Sequence, residues 1–250
     1  MSSAGPSSTG SASVASVDEA LLRPVRAGNA FEETVERLLR MIKLGVIGVG
    51  QRLPTERELS VRLGVARATL REAIHALADA GYVRSRRGRY GGTFVSEPQL
   101  TEGSATSVAT SRSAEEVADV LVMREVLETG AAVAAAGRAL DPEQRRHLRD
   151  QLAETSAAEL GEYRRKDSRL HLAIAEVTGS PSLTTAVADA RMRVNSLLDE
   201  IPLLPRNIEH SNAQHEAIVA GILGGDQDSA RRAMTEHLAG TAALLRGFLA

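Results

Sequence analysis

The sequence of 250 residues contains no cysteine, and this absence excludes three kinds of site at once. A disulfide framework, a thiolate zinc site and a cysteine nucleophile are impossible, so any bound metal must use His, Asp or Glu. The sequence also lacks a basic leader and any run of about eighteen apolar residues, the length that a membrane-spanning helix needs. We therefore expect a soluble, cytoplasmic protein.

The charge is unevenly distributed along a chain long enough for two domains. From Arg23 to Pro98 there are fourteen Lys or Arg against eight Asp or Glu, a balance of +6. From Gln99 to Ala250 there are sixteen against twenty-two, a balance of −6. A basic front half joined to an acidic rear half indicates one module that binds a polyanion and one that does not.

The front half has the pattern of a winged helix-turn-helix. Residues 1–22 are mostly small and polar, which predicts a disordered tail before a domain over 23–98. Thr55 as N-cap with Glu58 three residues later predicts a capping box at the start of the second helix. After Gly81 the apolar period shortens to about two residues, as expected of strands. The predicted elements are helices over 30–44, 56–63 and 67–80 and strands over 82–86 and 93–96.

This order of elements lays the third helix in the major groove of DNA and a basic wing beside it. Arg67 and Arg71 are four residues apart on one helix face, and arginine suits bidentate contact with guanine. The alternative is a solvated surface whose arginines pair with acids such as Glu58 and Glu72. The predicted DNA contacts are Arg57, Arg67, Thr69, Arg71, Arg87, Gly88 and Arg89.

The rear half shows only helical patterns. A Ser-, Thr- and Gly-rich linker over 99–113 precedes a helical domain over 114–250. The fold class is thus mainly α, a winged helix-turn-helix followed by an all-α bundle of six to seven helices. The Ala-rich stretch from Ala131 to Ala139 is a candidate dimer contact, with the core of the bundle as the alternative. Helices are predicted over 114–139, 142–158, 160–178, 182–200, 207–223 and 226–248.

Four side chains of the helical domain form a candidate metal site. Asp167 and His171 are four residues apart and share a helix face. His215 and His237 lie on two later helices, beside apolar residues that would turn them inward. This donor set suits zinc, nickel, manganese or iron. The alternative from spacing alone is a surface Asp–His pair with two unrelated histidines.

The motifs of both halves resemble those of one family. The front half, over residues 30–96, resembles the DNA-binding domain of the GntR family, and the rear half resembles the helical ligand domain of its FadR-like branch. The motifs are Leu53-Pro54-Thr55-Glu56-Arg57-Glu58-Leu59, Thr69-Leu70-Arg71-Glu72-Ala73, Gly92-Thr93-Phe94-Val95, Arg124-x-x-Leu127-Glu128, Asp167-x-x-x-His171, Gln214-His215 and Met234-x-x-His237-Leu238.

The resemblance implies roles for particular residues. Arg57, Arg67, Arg71 and the wing would touch operator DNA, Asp167 and the three histidines would bind a divalent metal, and Arg124 would face an acidic ligand. Three positions depart from the pattern. Ala66 replaces a capping Ser or Thr, which costs about 1 kcal/mol, Leu170 replaces a frequent Phe, and Arg89-Tyr90-Gly91-Gly92 replaces a shorter wing tip. The remaining histidines are expected at the surface or in local structural roles: His75, His147 and His210.

We therefore expect a homodimeric transcription regulator, a repressor on a pseudo-palindromic operator. A small organic acid would bridge Arg124 and a divalent metal, zinc before nickel, manganese or iron. One alternative is a constitutive DNA-binding dimer with a structural metal. The other is a metal-dependent hydrolase, since open metal positions activate water, but no general base with a supporting partner is evident, so we do not expect an enzyme.

Overall fold

The computed structural model describes residues 27–88, 91–96 and 113–249. The predicted tail over 1–22, nearly all of the predicted linker over 99–113, and Arg89 and Tyr90 of the wing lie outside these residues.

The front half folds as predicted, into three helices and a two-stranded antiparallel wing. Val83 pairs with Val95 and Arg86 with Gly92. Thr55 accepts a hydrogen bond from the backbone N–H of Glu58, as an N-cap should. Ala66 occupies the N-cap of the third helix without a side-chain hydrogen bond, as expected from its missing hydroxyl. The elements are α1 Ala30–Lys43, α2 Glu56–Leu63, α3 Arg67–Asp79, β1 Val83–Arg86 and β2 Gly92–Val95.

The rear half is an all-α bundle, and its described residues form six helices. Local chemistry sets several of their starts: capping boxes at Ser113 and Asp141, and proline in the first turn of three helices. Residues 160–162, predicted as helix, form a separate 3₁₀ turn that contains Gly161, a weak helix former. The helices are α4 Ala114–Ala136, α5 Pro142–Ser156, α6 Tyr163–Glu176, α7 Pro181–Leu198, α8 Pro205–Gly224 and α9 Gln227–Leu249.

The Ala-rich end of α4 lies inside the bundle. Its small side chains pack in one core with Leu170, Ile174, Ile218 and Met234, so the helices approach closely. The prediction of a dimer contact on this stretch is wrong for four of its alanines, because the chain itself covers them: Ala131, Ala132, Ala135 and Ala136. In the described ranges, no helix has the length and apolar character needed to span a membrane.

A second core crosses from the front half to the rear half. Leu38 and Leu39 of α1 belong to the same buried cluster as Leu244 and Leu245 of α9. Glycine makes this approach possible, because a Cβ atom at Gly247 would lie 2.9 Å from the Cα atom of Glu36. The front half is therefore packed against the bundle through α1 and α9.

Candidate DNA-reading surface and metal centre

Three of the predicted DNA contacts line one cleft. Arg57 of α2 and Arg67 and Arg71 of α3 are exposed around a cleft of about 380 Å³ that β2 closes. Arg71 is paired with Glu56 at 3.0 Å. In the described part of the chain, no acidic group lies within 4.0 Å of Arg57 or Arg67. The alternative of a surface neutralised by acids therefore holds for Arg71 but not for these two.

The other predicted DNA contacts that the structure describes do not line this cleft. Thr69 is half-buried on α3, and Arg87 and Gly88 are exposed at the tip of the wing, where Gly88 has a φ of +107° that favours glycine. The predicted contact Arg89 lies outside the described residues. Arg52, which was not among the predicted contacts, lines the same cleft and packs against Gly92, where a side chain would collide with its guanidinium. Lying before α2, it has no helical spacing that could have indicated it.

The four predicted metal ligands meet inside the bundle. Asp167 and His171 come from α6, His215 from α8 and His237 from α9; all are buried, and one ligand atom of each lies within 4.8 Å of the others. Asp167 Oδ1 is 3.2 Å from His215 Nε2 and 3.8 Å from His171 Nε2. Two atoms that each lie about 2.1 Å from one ion are at most roughly 4.2 Å apart. The four ligand atoms, which lie within 4.8 Å of one another, therefore need to approach only slightly to bind one ion. The alternative of unrelated surface groups is wrong.

Other polar groups orient these ligands. Arg191 of α7 donates to Asp167 Oδ2. Glu128 Oε2 lies 2.5 Å from His171 Nδ1, and Gln214 Oε1 lies 3.3 Å from His237 Nδ1. Such outer partners fix the ring orientation of metal-binding histidines. His237 Nε2 has no hydrogen-bond partner among the described residues, as expected of an atom that awaits a metal.

The protonation states suit metal binding. Burial raises the pKa of Asp167, but Arg191 and the neighbouring histidines outweigh burial and hold that pKa well below its ordinary value. Burial lowers the pKa of His171, although Glu128 opposes it. Burial and the two other imidazoles hold the pKa of His237 well below its ordinary value. Near neutral pH, Asp167 is therefore ionised and both imidazoles are neutral, as metal ligation requires.

Arg124 lies beside the cluster, on α4. Its Nε is 3.2 Å from Glu128 Oε1, whereas its buried Nη1 has no hydrogen-bond partner in the described ranges. Together with Tyr163, Asp167 and His237 it lines a cavity of about 40 Å³. The loop between α7 and α8 supplies part of the apolar wall, with Ile201, Pro202, Leu203 and Leu204. The cavity thus places the guanidinium of Arg124 beside the predicted metal ligands. An anion bound there would be attracted both by this guanidinium and by a metal ion on the ligands.

Glu128 and Arg191 had no role in the predictions from sequence, although both are almost fully buried. The sequence contained an indication of each. Glu128 follows Arg124 by one helical turn, and Arg191 lies among apolar residues such as Val187 and Val194, which are buried. A charge on the apolar face of a helix indicates a buried partner. Here two arginines compensate two carboxylates.

The three histidines outside the motifs lie away from the cluster. His75 pairs with Asp79 and His147 with Glu176 at the surface, as expected. His210 was predicted in a surface or local role, but its Nδ1 lies 3.0 Å from Glu32 of α1, so it joins the two halves.

Two family matches cover most of the described chain. Residues 30–95 match the bacterial regulatory proteins of the gntR family, and residues 119–240 match the FCD domain. The first match spans α1 to β2, and the second contains every predicted metal ligand.

Known regulators align with most of the chain. The chain is 31% identical to a putative L-lactate dehydrogenase operon regulatory protein of Escherichia coli K12, over 83% of each chain. It is 33% identical to the putative HTH-type transcriptional regulator RmpR of Mycobacterium gastri, over 82% of this chain and 76% of that protein. The solved structure of E. coli McbR/YncC has a TM-score of 0.50 at 18% identity, covers 86% of this chain and 96% of its own, and shows a likeness of fold.

Regulators of this family bind operator DNA and typically act as dimers. The relatives at 31% and 33% identity extend over both halves of the chain. The chain therefore belongs to the GntR family of bacterial transcriptional regulators, in the FadR-like group with a ligand-binding FCD domain, and is not an enzyme.

Proposed function

We propose that this regulator is a homodimeric repressor whose operator binding is modulated by a small carboxylate, held between Arg124 and a divalent metal. The observation that carries the proposal is the buried Asp167–His171–His215–His237 cluster, which adjoins the cavity lined by Arg124. In this proposal the DNA-binding domain spans 23–98, the linker 99–113 and the ligand and dimerisation domain 114–250.

Zinc is the proposed metal, with nickel, manganese and iron as the other candidates. One carboxylate and three imidazoles without thiolate suit all four ions, and the fixed ring orientations favour a defined geometry. A bound divalent ion would supply positive charge and open positions for a carboxylate. Arg124 Nη1, which lacks a partner among the described residues, would donate to the same carboxylate.

The DNA-binding role is assigned to the arginines around α3. Arg67 and Arg71 would read base edges, while Arg57 and the wing residues Arg87 and Gly88 would position the protein on phosphates. Thr69 and Arg89 complete the proposed contacts, and Arg52 joins them because it lines the same cleft.

The loop over residues 199–204 offers a route from the effector to α3. Pro202, Leu203 and Leu204 line the effector cavity and also a groove of about 600 Å³ against α3. Just beyond the loop, Arg206 lies 3.1 Å from Glu72 of α3. The cavity of about 40 Å³ has room for about one water molecule. A carboxylate must therefore enlarge it, and the loop is the non-helical part of its wall.

The name of one relative supports a small carboxylate as effector. The E. coli protein is described as the putative regulator of an L-lactate dehydrogenase operon. Lactate has the carboxylate that Arg124 would hold and is small enough for a modestly enlarged cavity. Repression is proposed by analogy with NanR of Cronobacter sakazakii, a transcriptional repressor with 29% identity.

The effector test measures the DNA affinity of the zinc-loaded protein. A duplex selected by the protein from a random pool is titrated by fluorescence anisotropy, with two- to four-carbon carboxylates including L-lactate. At least one carboxylate should weaken DNA binding, its neutral amide should not, and Arg124→Gln should abolish the response. Arg138→Gln is the matched control, because Arg138 bonds the backbone carbonyl of Thr178 on the bundle surface. Indifference of the wild type to every acid would instead favour a constitutive DNA-binding dimer.

A dimer contact is proposed on the outer face of α4 and α7. Val122 and Val126 of α4 and Met192 of α7 are 62–68% exposed, and these two helices pack side by side. Val126→Glu should convert a dimer into a monomer in native mass spectrometry, whereas Val61→Glu, at an exposed position of α2, should not. A dimer that persists in Val126→Glu would place the contact elsewhere.

A further inference from the structure

Asn29 occupies the N-cap position of α1, yet its side chain makes no capping hydrogen bond. Asparagine is favoured at this position because its side-chain oxygen accepts a hydrogen bond from the first turn. Here Asn29 is buried and bonds the bundle instead. Its Oδ1 accepts from Gln214 Nε2 at 3.0 Å, and its Nδ2 donates to the backbone carbonyl of Glu236 at 2.8 Å. Asn29 therefore leaves the start of α1 without a side-chain cap and makes two hydrogen bonds to the ligand domain instead.

Gln214 extends this contact to the metal cluster. Its Oε1 lies 3.3 Å from Nδ1 of His237, which leaves Nε2 of that ring as the ligand atom. Gln214 therefore stands between a metal ligand on α9 and the first residue before α1. The two ends of its side chain bond two different halves of the protein.

The hydrogen bonds that join Glu236, Asn29, Gln214 and His237 have a fixed donor-to-acceptor direction, which is set by the backbone carbonyl of Glu236. The carbonyl of Glu236 can only accept, so Asn29 must present Nδ2 to it and Oδ1 to Gln214. Gln214 must then present Nε2 to Asn29 and Oε1 to His237. The remaining bond forms only when His237 carries its proton on Nδ1, which leaves the Nε2 lone pair for a metal. The tautomer that binds a metal is therefore the one that completes the contact between the halves.

We propose that Gln214 and Asn29 form a polar relay that couples metal occupancy of the cluster to the packing of α1 on α9. The relay rests on the proposed function, since it requires His237 to bind a metal. A metal on Nε2 holds the proton on Nδ1 and so stabilises the contact with Asn29. By linkage, packing of α1 on α9 raises the affinity of the cluster for the metal by the same factor.

The surroundings of Asn29 leave it little freedom. A Cβ atom at Gly240 of α9 would lie 2.7 Å from Asn29 Oδ1, so the missing side chain makes room for the relay. Since α1 also packs against α3 within a shared core, its position affects how the DNA-reading helix is presented.

The test uses the full chain, zinc and two isosteric variants. In Gln214→Glu the side chain still accepts from His237 but cannot donate to Asn29. In Asn29→Asp it still accepts from Gln214 but cannot donate to the carbonyl of Glu236. Zinc affinity is measured by chelator competition, and amide hydrogen exchange of residues 30–43 is followed by mass spectrometry with and without zinc. Circular dichroism melts verify that each variant is folded.

In the wild type, zinc should slow exchange in α1, although α1 contains no metal ligand. Both variants should bind zinc but lose this slowing, and Asn29→Asp should bind zinc about 3- to 10-fold more weakly. Asn207→Ala is the control: Asn207 donates to Glu32 of α1 at 3.0 Å outside the relay, so zinc should still slow exchange.

The outcomes separate the relay from the metal centre. If the wild type binds zinc but its α1 exchange is unchanged, or both variants keep the slowing, the relay is wrong and the metal centre stands. If the wild type binds neither zinc nor, in the same competition assay, nickel, manganese or iron, the metal centre and the relay are both overturned.

Discussion

Replacing Arg191 with methionine should strongly destabilise the metal-free protein. Arg191 is 2% exposed, donates to Asp167 Oδ2 and to Ser168 Oγ at 3.0 Å, and has Nη1 3.8 Å from Glu128. Methionine fills part of the volume of the arginine side chain but removes the positive charge that is paired with the buried Asp167 carboxylate. Breaking a buried ion pair from one side costs about 3–5 kcal/mol, and at about 2–4 °C per kcal/mol the melting temperature should fall by roughly 10 °C.

The assay is urea and thermal unfolding followed by circular dichroism, with a chelator present so that no metal compensates the carboxylates. Arg193→Met is the control on the same helix: Arg193 pairs with Asp119 at 3.2 Å, but its side chain is 54% exposed. An exposed pair contributes at most about 1 kcal/mol. Equal losses in the two variants would refute the view that Arg191 compensates buried charge.

Three further predictions concern the contact between the halves and the DNA. The hydrogen bond with Glu32 raises the pKa of His210 against the effect of burial. This pair therefore stabilises the contact between the halves at low pH, and its contribution is lost as pH rises above about 6.5. Exchange of α1 amides should accelerate over that range. Gly247→Ala should push α1 from α9, because the new Cβ would lie 2.9 Å from Glu36 Cα, and should lower the free energy of unfolding by about 1–3 kcal/mol. Arg57→Ala, which removes a proposed phosphate contact, should weaken DNA binding and reduce the slope of log affinity against log salt by about 1.

Each of these has a control. In His210→Gln the added pH dependence of α1 exchange should vanish, although Glu236 and Arg206 still contribute charge there; an unchanged profile would assign it to another group. Gly224→Ala, with nothing within 4 Å of the added Cβ, should not lower the free energy of unfolding. Arg62→Ala removes a cation already paired with Glu58 and should hardly change the salt slope. If Arg62→Ala and Arg57→Ala lowered the slope equally, the phosphate contact proposed for Arg57 would not be a specific one.

Patterns that repeat within one helix or hairpin were sufficient to predict the local structure. Apolar spacing, Thr55 as a cap and the glycine stops predicted the elements of the front half, and proline and glycine marked most breaks of the bundle. The structure brings the four predicted metal ligands together in one buried cluster, but on spacing alone their assignment stayed open until the family resemblance was considered. The tail over 1–22 and Arg89 lie outside the described residues and stay predictions.

Partners that are distant in sequence could not be predicted, because no period links one helix to another. Arg191 meets Asp167 across 24 positions, and Asn29 meets Gln214 across 185. A sequence shows that a charged or amide side chain lies among apolar neighbours, and so that it needs a partner, but only packing decides which partner is within reach. The sequence by itself thus determined the helices, and with the family resemblance it named the four residues proposed as metal donors. The tertiary structure decided how those donors are oriented and that the cluster is bonded to the first helix of the DNA-binding domain.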